Sequence, residues 1–175
     1  MRNLIVVNSQ SMNLETLHLN SEGRGRIRGL VGDIQENLPC NGNKIYLTLF
    51  DFFQSILGLD KPAVVTSTEP FARDSGVLLN NFLGGVVYQN EFLNGVNFDS
   101  GGVLEDGNLV PLARNYWWRK TGILVGGTNM ALAFYDWLVG EGYLQKNDVS
   151  CSALPGCGFY LDFKSGKVFG LSYKK

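Results

Sequence analysis

The chain has 175 residues, close to the common size of one domain, with 45% hydrophobic and 18% charged residues, which argues against a disordered chain and predicts a single domain over residues 1–175. The formal net charge is −1, so no overall field attracts nucleic acid or an anionic membrane, and nucleic acid is not expected as a partner. One histidine, His18, and three cysteines leave few side chains for metal binding or for catalysis near neutral pH. We therefore expect no metal and no other cofactor.

The N-terminal and cysteine patterns bear on localisation. The apolar run at residues 4–7 is too short for the core of a signal peptide, and no small-residue cleavage site follows it, so Sec export is not expected. Cys151 and Cys157 lack the C-x-x-C spacing, and buried thiols are favoured, although a disulfide between them stays open. The apolar stretch 122–139 is interrupted by polar residues, which argues against a transmembrane segment. We expect a protein of the virion or of the cytoplasm of the producing cell.

In the first half of the chain, short apolar segments alternate with Asn, Ser and Gly, a pattern typical of strands joined by turns. The predicted strands are residues 4–7, 16–19, 27–34 and 44–47. Thr48, with Asp51 three residues later, resembles a capping box and predicts a short helix that ends at Gly58. His18 lies between two leucines and is expected to point off the apolar face or to be hydrogen-bonded.

The second half predicts further strands, one helix and two hairpins. The predicted strands are residues 63–68, 77–79, 83–88 and 123–125. Asp106-Gly107 suits the turn of a hairpin over residues 103–110. Residues 130–139 carry apolar side chains at helical spacing and are predicted to form a helix that ends at Gly140. The last hairpin pairs 159–163 with 168–173 and is expected to turn its alternate apolar residues to one face: Phe159, Leu161, Phe163, Phe169 and Leu171.

These elements predict a mainly β fold, an antiparallel sandwich or jelly-roll-like barrel of roughly eight to ten short strands with one or two short helices. An α+β arrangement is the alternative.

Two patterns resemble catalytic or binding motifs. Asp74-Ser75-Gly76 and Asp99-Ser100-Gly101 repeat a triplet that aspartic proteases use in pairs, but turns that lead into strands explain it more simply. We expect Asp74 and Asp99 to cap local backbone N–H groups and to lie far apart. Gly126-Gly127-Thr128-Asn129 stands between a strand and a helix, the order of a phosphate-binding turn. An ordinary tight turn is favoured, because no Lys-Ser/Thr follows the glycines.

Two segments are candidate contact surfaces. On a strand, a spacing of two directs three cations to one face; these cations are Arg24, Arg26 and Arg28. The stripe is the leading candidate for binding phosphate or nucleic acid, but pairing with carboxylates at a subunit interface is favoured. The second segment is predicted to form a subunit or ligand contact, because adjacent tryptophans on a strand cannot both face the core; it consists of Tyr116, Trp117, Trp118, Arg119 and Lys120.

The poor catalytic inventory, near-zero charge and aromatic surplus favour a structural, non-enzymatic protein of a larger assembly, most plausibly a virus or phage virion or capsid component that acts through self-association and contacts with other structural subunits. One alternative is a carbohydrate-binding module that stacks a sugar ligand on Trp117 or Trp118. A further alternative is a small hydrolase that uses the carboxylate of Asp74 or Asp99.

Overall fold

The computed structural model describes residues 3–9, 12–37, 61–94, 121–127, 129–145 and 156–172. Within these ranges, six strands form one sheet on which three helices pack. The strands are β1 (Asn3–Asn8), β2 (Ala63–Thr66), β3 (Val86–Gln89), β4 (Thr121–Gly126), β5 (Gly158–Asp162) and β6 (Lys167–Leu171). The helices are α1 (Ser21–Asn37), α2 (Pro70–Leu83) and α3 (Met130–Gly140), and a short 3-10 helix spans Glu91–Leu93.

The sheet is mixed, with the strand order β3-β2-β4-β1-β5-β6. The first four strands in the chain, β1 to β4, run parallel to one another. On the outer side of β1, β5 pairs antiparallel with β1, and β6 pairs antiparallel with β5. Every residue of β1, β2 and β4 is buried. Such strands are expected to be continuous apolar runs, because helices cover both faces of a parallel sheet.

Helices on both faces make three layers. Ile5 and Val7 of β1 pack in one cluster with residues of α1 and α2, and Leu4 and Val6 pack in a second cluster with residues of α3. This alternation follows from the period of two along a strand. Tyr160 of β5 belongs to the first cluster, so the antiparallel strands extend the same core.

The predicted antiparallel sandwich or jelly roll is therefore wrong, and the α+β alternative does not describe this sheet either. The decisive errors are at residues 27–34 and 77–79, which were predicted as strands and lie within α1 and α2. In α1, the buried residues Ile27, Leu30 and Ile34 are three and four positions apart and face the sheet as one helical stripe. Parallel strands need such crossover helices, whereas a sandwich needs none.

Helix α2 begins and ends where its sequence allows. Pro70 occupies the start of the helix, where its missing N–H costs nothing, and Gly84 ends it in the left-handed conformation with φ +69°. Inside the helix, Gly76 faces β2, and a Cβ atom there would overlap the Thr66 side chain. The missing side chain therefore sets how closely α2 approaches the sheet.

Several predicted elements are confirmed. The strands at 4–7, 63–68 and 123–125 correspond to β1, β2 and β4, the helix at 130–139 to α3, and the last hairpin to β5 and β6. The predicted strand at 83–88 overlaps β3 only from Val86 onward, because Leu83 still belongs to α2. The predicted shared face of that hairpin is wrong, because Phe169 lies opposite Tyr160 and so is on the other face of the sheet from Phe159 and Leu161. Phe163, moreover, is exposed. Residues 16–19 form no strand beyond a bridge between Met12 and Leu19.

Three predictions fall outside the described residues: the strand at 44–47, the helix from Thr48 to Gly58 and the hairpin at 103–110. Among the helices that the structure describes, none is both long and apolar enough to span a membrane.

Candidate functional site

The candidate site is the switch point at the carboxyl ends of β1 and β4, which we call the crevice. These neighbouring parallel strands lead to helices on opposite faces of the sheet, since β1 is followed by α1 and β4 by α3. After β1 the chain therefore continues on one face of the sheet, and after β4 it continues on the other. In open α/β sheets, ligands bind at such topological switch points, outside the carboxyl ends of the strands.

Asn8, the last residue of β1, ties the crevice to α3. Its side chain is buried, and its Oδ1 accepts a hydrogen bond of 2.8 Å from the backbone N–H of Ala131. The residue at the N-cap position of α3, Asn129, makes no side-chain cap of its own. Asn8 thus caps the helix from a different strand and fixes the first turn of α3 against β1.

Ser9 continues β1 into the crevice. Its backbone N–H donates to the carbonyl of Gly126 at 2.7 Å. The residue is fully buried, and among the described residues its hydroxyl has no hydrogen-bond partner. An unpaired buried hydroxyl costs about 1–3 kcal/mol, so Ser9 is a polar group at the switch point whose burial the described contacts do not explain.

Two close approaches shape the β4 side of the crevice. A Cβ atom on Gly126 would overlap the Met130 sulfur and lie 2.6 Å from the carbonyl oxygen of Leu93. Only glycine therefore lets the first turn of α3 and the 3-10 helix both approach the end of β4.

The end of β2 adds a second set of polar groups. The backbone N–H of Ser67 donates to the Val125 carbonyl at 2.8 Å, so this residue flanks β4 on the side opposite Ser9. The Ser67 hydroxyl donates to the carboxylate of Glu69 at 3.0 Å. Next to it, the N–H and hydroxyl of Thr68 both donate to the side-chain oxygen of Asn94, each at 2.9 Å.

The described segments at the ends of the strands are neutral to acidic. The described segments at the strand ends, 8–9, 66–69, 90–94, 126–127 and 129–131, contain two glutamates, Glu69 and Glu91, and no Lys, Arg or His. An anion at these segments would therefore be bound by neutral hydrogen-bond donors. Cys157, whose carbonyl accepts from the N–H of Asn8 at 2.9 Å, is a free, buried thiol.

His18 lies on the loop that follows β1 and is hydrogen-bonded, as predicted. Its Nδ1 lies 2.9 Å from Oδ2 of Asp74, and the same oxygen accepts from the backbone N–H of Leu19 at 3.2 Å. The prediction that Asp74 is a turn residue capping local backbone is wrong, because Asp74 lies within α2 and binds groups more than fifty residues away. Asp99 lies outside the described residues.

Of the two predicted contact surfaces, the structure describes only the arginine stripe. The arginine stripe is not on a strand but in α1, where Arg24 and Arg28 are one helical turn apart and Arg26 instead pairs with Glu22. A helix therefore does not direct all three cations to one face. The segment Tyr116–Lys120 lies outside the described residues. A role in contacts stays a prediction for both sets.

Sequence reasoning missed the polar residues at the strand ends: Asn8, Ser9, Ser67 and Glu69. A signal for them is present, because two short apolar runs each end in a polar pair, Val-Val-Asn-Ser at β1 and Val-Val-Thr-Ser at β2. Taken as parallel strands, such runs place their polar ends at one edge of a sheet. The Gly126-Gly127 turn does join a strand to a helix, but a phosphate role for it stays untested.

Three solved structures share this fold over nearly their whole length. Mycobacterial hydrolase 1 is 14% identical, with a TM-score of 0.52 and coverage of 97% of this chain and 96% of that chain. The protein named phosphohistidine phosphatase SixA from Nakamurella multipartitia is 12% identical, with a TM-score of 0.54 and coverage of 99% and 94%. Its namesake from Agrobacterium tumefaciens is 9% identical, with a TM-score of 0.50 and coverage of 99% and 98%. No family model and no curated protein matches the sequence.

At these identities, the likeness shows a common fold. It contradicts the prediction of a structural virion or capsid protein, which was drawn from the poor catalytic inventory, the near-zero charge and the aromatic surplus. It also contradicts the prediction that the chain is not an enzyme, because the fold is that of proteins named as a hydrolase and phosphatases. The carbohydrate-binding alternative depended on Trp117 and Trp118, which lie outside the described residues.

Proposed function

We propose that the protein is a phosphatase-like hydrolase that binds the phosphoryl group of a phosphate ester in the crevice between β1 and β4. The observation that carries the proposal is the buried, unpartnered hydroxyl of Ser9 at the switch point of the sheet. The names of the fold relatives supply the chemistry: two carry the name of a phosphohistidine phosphatase and one that of a hydrolase.

Ser9 is the proposed donor to a phosphoryl oxygen. Its hydroxyl has an unused proton, whereas the neighbouring Ala131 N–H is already occupied by Asn8. A phosphoryl oxygen accepts hydrogen bonds strongly because it is charged. Bound phosphate would therefore relieve the desolvation cost of the buried hydroxyl, and this gain supports Ser9 rather than the helix N-terminus as the main contact.

Glu69 is the proposed base. It is partly buried at the end of β2, and its carboxylate holds the Ser67 hydroxyl at 3.0 Å. The strand-end segments contain no histidine, so we propose that water attacks the phosphorus directly and that Glu69 accepts the proton of that water. The oxygen of the water forms the new bond to phosphorus as the ester bond breaks.

The test is phosphate release from p-nitrophenyl phosphate, together with calorimetric titration of orthovanadate as a phosphate-like ligand. We expect the protein to hydrolyse the ester and to bind vanadate. Ser9→Ala should weaken vanadate binding at least tenfold and leave the unfolding temperature unchanged or slightly raised, since the deleted hydroxyl has no partner to lose.

Ser75→Ala is the matched control. Ser75 is also fully buried, but its hydroxyl donates to the Phe71 carbonyl at 2.9 Å within α2. Its replacement should lower stability by about 1 kcal/mol without changing vanadate affinity. A protein that neither releases phosphate nor binds vanadate, or a Ser9→Ala variant that binds vanadate as tightly as the wild type, contradicts the proposal.

A further inference from the structure

His18 is held in a defined orientation by a carboxylate. Its Nδ1 is 2.9 Å from Asp74 Oδ2, and since an ionised carboxylate only accepts hydrogen bonds, Nδ1 carries the proton of this contact. The other ring nitrogen, Nε2, is left for a second partner. The His18 side chain is 49% exposed and that of Asp74 22%, so a ligand in solvent can reach the ring.

The chain places this pair at the edge of the sheet where the crevice lies. The loop with His18 leaves the carboxyl end of β1 directly after Ser9, and a bridge between Met12 and Leu19 closes it. Asp74 is the fifth residue of α2, the helix that follows the carboxyl end of β2. At 1.5 Å per residue, it lies only about 6 Å along the helix axis from Pro70.

The backbone beside His18 is strained. Leu17 has φ +57°, and it is the one non-glycine residue with positive φ that the described ranges contain. A branched residue rarely adopts this conformation and persists in it only where surrounding contacts impose it. Two kinds of contact impose it here: the Leu17 N–H donates to the Asn13 carbonyl at 2.8 Å, which closes the turn, and both His18 and Leu19 bind Asp74. Together these contacts fix the position of His18 on the loop.

We propose that His18 is the proton donor to the leaving group of the phosphate ester, and that Asp74 is the residue that positions its ring; this assignment rests on the proposed function. Water forms the new bond to phosphorus and gives a proton to Glu69. The bond from phosphorus to the ester oxygen breaks, and its electron pair stays on that oxygen. The oxygen takes the Nε2 proton of His18, whose ring carries a proton on each nitrogen before this step and keeps the one on Nδ1 after it. The products are an alcohol and inorganic phosphate, and proton exchange with solvent restores both side chains.

The test compares two esters that differ in their need for a proton donor. The p-nitrophenolate ion leaves without protonation, whereas an alkoxide does not. If His18 is the donor, His18→Gln should lower kcat for an alkyl phosphate such as ethyl phosphate by about a hundredfold or more and lower kcat for p-nitrophenyl phosphate fivefold at most. Asp74→Asn should show the same dependence on the leaving group with a smaller loss. Free imidazole should restore part of the ethyl phosphate activity of His18→Ala.

Leu14→Gln is the control for the loop, because Leu14 lies on the same loop and is 82% exposed; it should not change either activity. Equal losses on both esters in His18→Gln would mean that the residue only holds the loop, and unchanged activity on both would mean that it has no role; either result overturns this assignment while the proposed function stands. A wild-type protein that hydrolyses neither ester and binds no vanadate overturns both.

Discussion

Alanine in place of two glycines of α1 should stabilise the protein. Gly25 and Gly32 lie within the helix, and a Cβ atom built on either meets no heavy atom within 4 Å. Glycine in a helix interior is less favourable than alanine by about 0.5–1 kcal/mol, because more backbone freedom is lost on folding. The two positions are seven residues apart, about 10 Å along the axis, so the gains should add to about 1–2 kcal/mol.

For a chain of this size, that gain corresponds to a rise of about 2–8 °C in unfolding temperature. The contrasting change is Gly76→Ala in α2, where the new Cβ atom would overlap the Thr66 side chain. Overpacking costs about 1–3 kcal/mol, which exceeds what alanine gains over glycine in helix propensity. The free energy of unfolding of this variant should therefore be lower by about 1–2 kcal/mol. Chemical denaturation and calorimetry of Gly25→Ala/Gly32→Ala and of Gly76→Ala measure both changes in stability.

A double-mutant cycle isolates the cause. Thr66→Ser removes the methyl group that the new alanine would strike, so Gly76→Ala should cost less in the Thr66→Ser background by about 0.5 kcal/mol or more. A lower unfolding temperature in Gly25→Ala/Gly32→Ala, or a Gly76→Ala variant as stable as the wild type, would refute the packing of α1 and α2 described above.

Three further outcomes are expected. Asn8→Ala should lower the free energy of unfolding by about 0.5–2 kcal/mol, because the cap on α3 is removed. Asn8→Asp keeps an acceptor for the Ala131 N–H and should lower it less; urea unfolding of both variants measures the difference. Burial, and then the charge of Asp162, raises the pKa of Tyr160 above its usual 10.0. Because the folded state holds this proton more tightly than the unfolded state, the free energy of unfolding should fall as pH rises above 10. In denaturation experiments between pH 8 and 11, the free energy of unfolding of Tyr160→Phe should fall less steeply than that of the wild type. Gly158→Ala should weaken or abolish folding, seen as lost thermal cooperativity, because its Cβ atom would strike the carbonyl of β1.

The sequence predicted the local elements whose signal is short-range. The buried strands β1, β2 and β4 are recognisable because each is an uninterrupted apolar run. Helix α3 was predicted because its apolar stripe repeats at helical spacing, and the last hairpin because Gly166 supplies the positive φ that its turn requires. Turn chemistry and periodicity act over a few residues, so they can be read without the fold.

Helices α1 and α2 could not be identified in this way. Four glycines lower the intrinsic helix propensity of α1, and alternate arginines imitate the period of a strand, so its helical state depends on packing of Ile27, Leu30 and Ile34 against the sheet. In α2, the triplet 77–79 resembles a strand because it is too short to show a helical period. The errors in both elements turned a parallel sheet into an apparent antiparallel one.

The candidate site was decided by tertiary structure alone. Ser9 and Ser67 are 58 positions apart in the chain, yet both pair with the end of β4, and Asn8 caps a helix 123 positions away. Residue spacing carries no information about such neighbours, because the strand order β2-β4-β1 follows from how the crossover helices pack. The sequence alone determined that His18 is the one histidine available; only the fold decided that Asp74 would hold it, because that contact needs α2 packed beside the loop that follows β1.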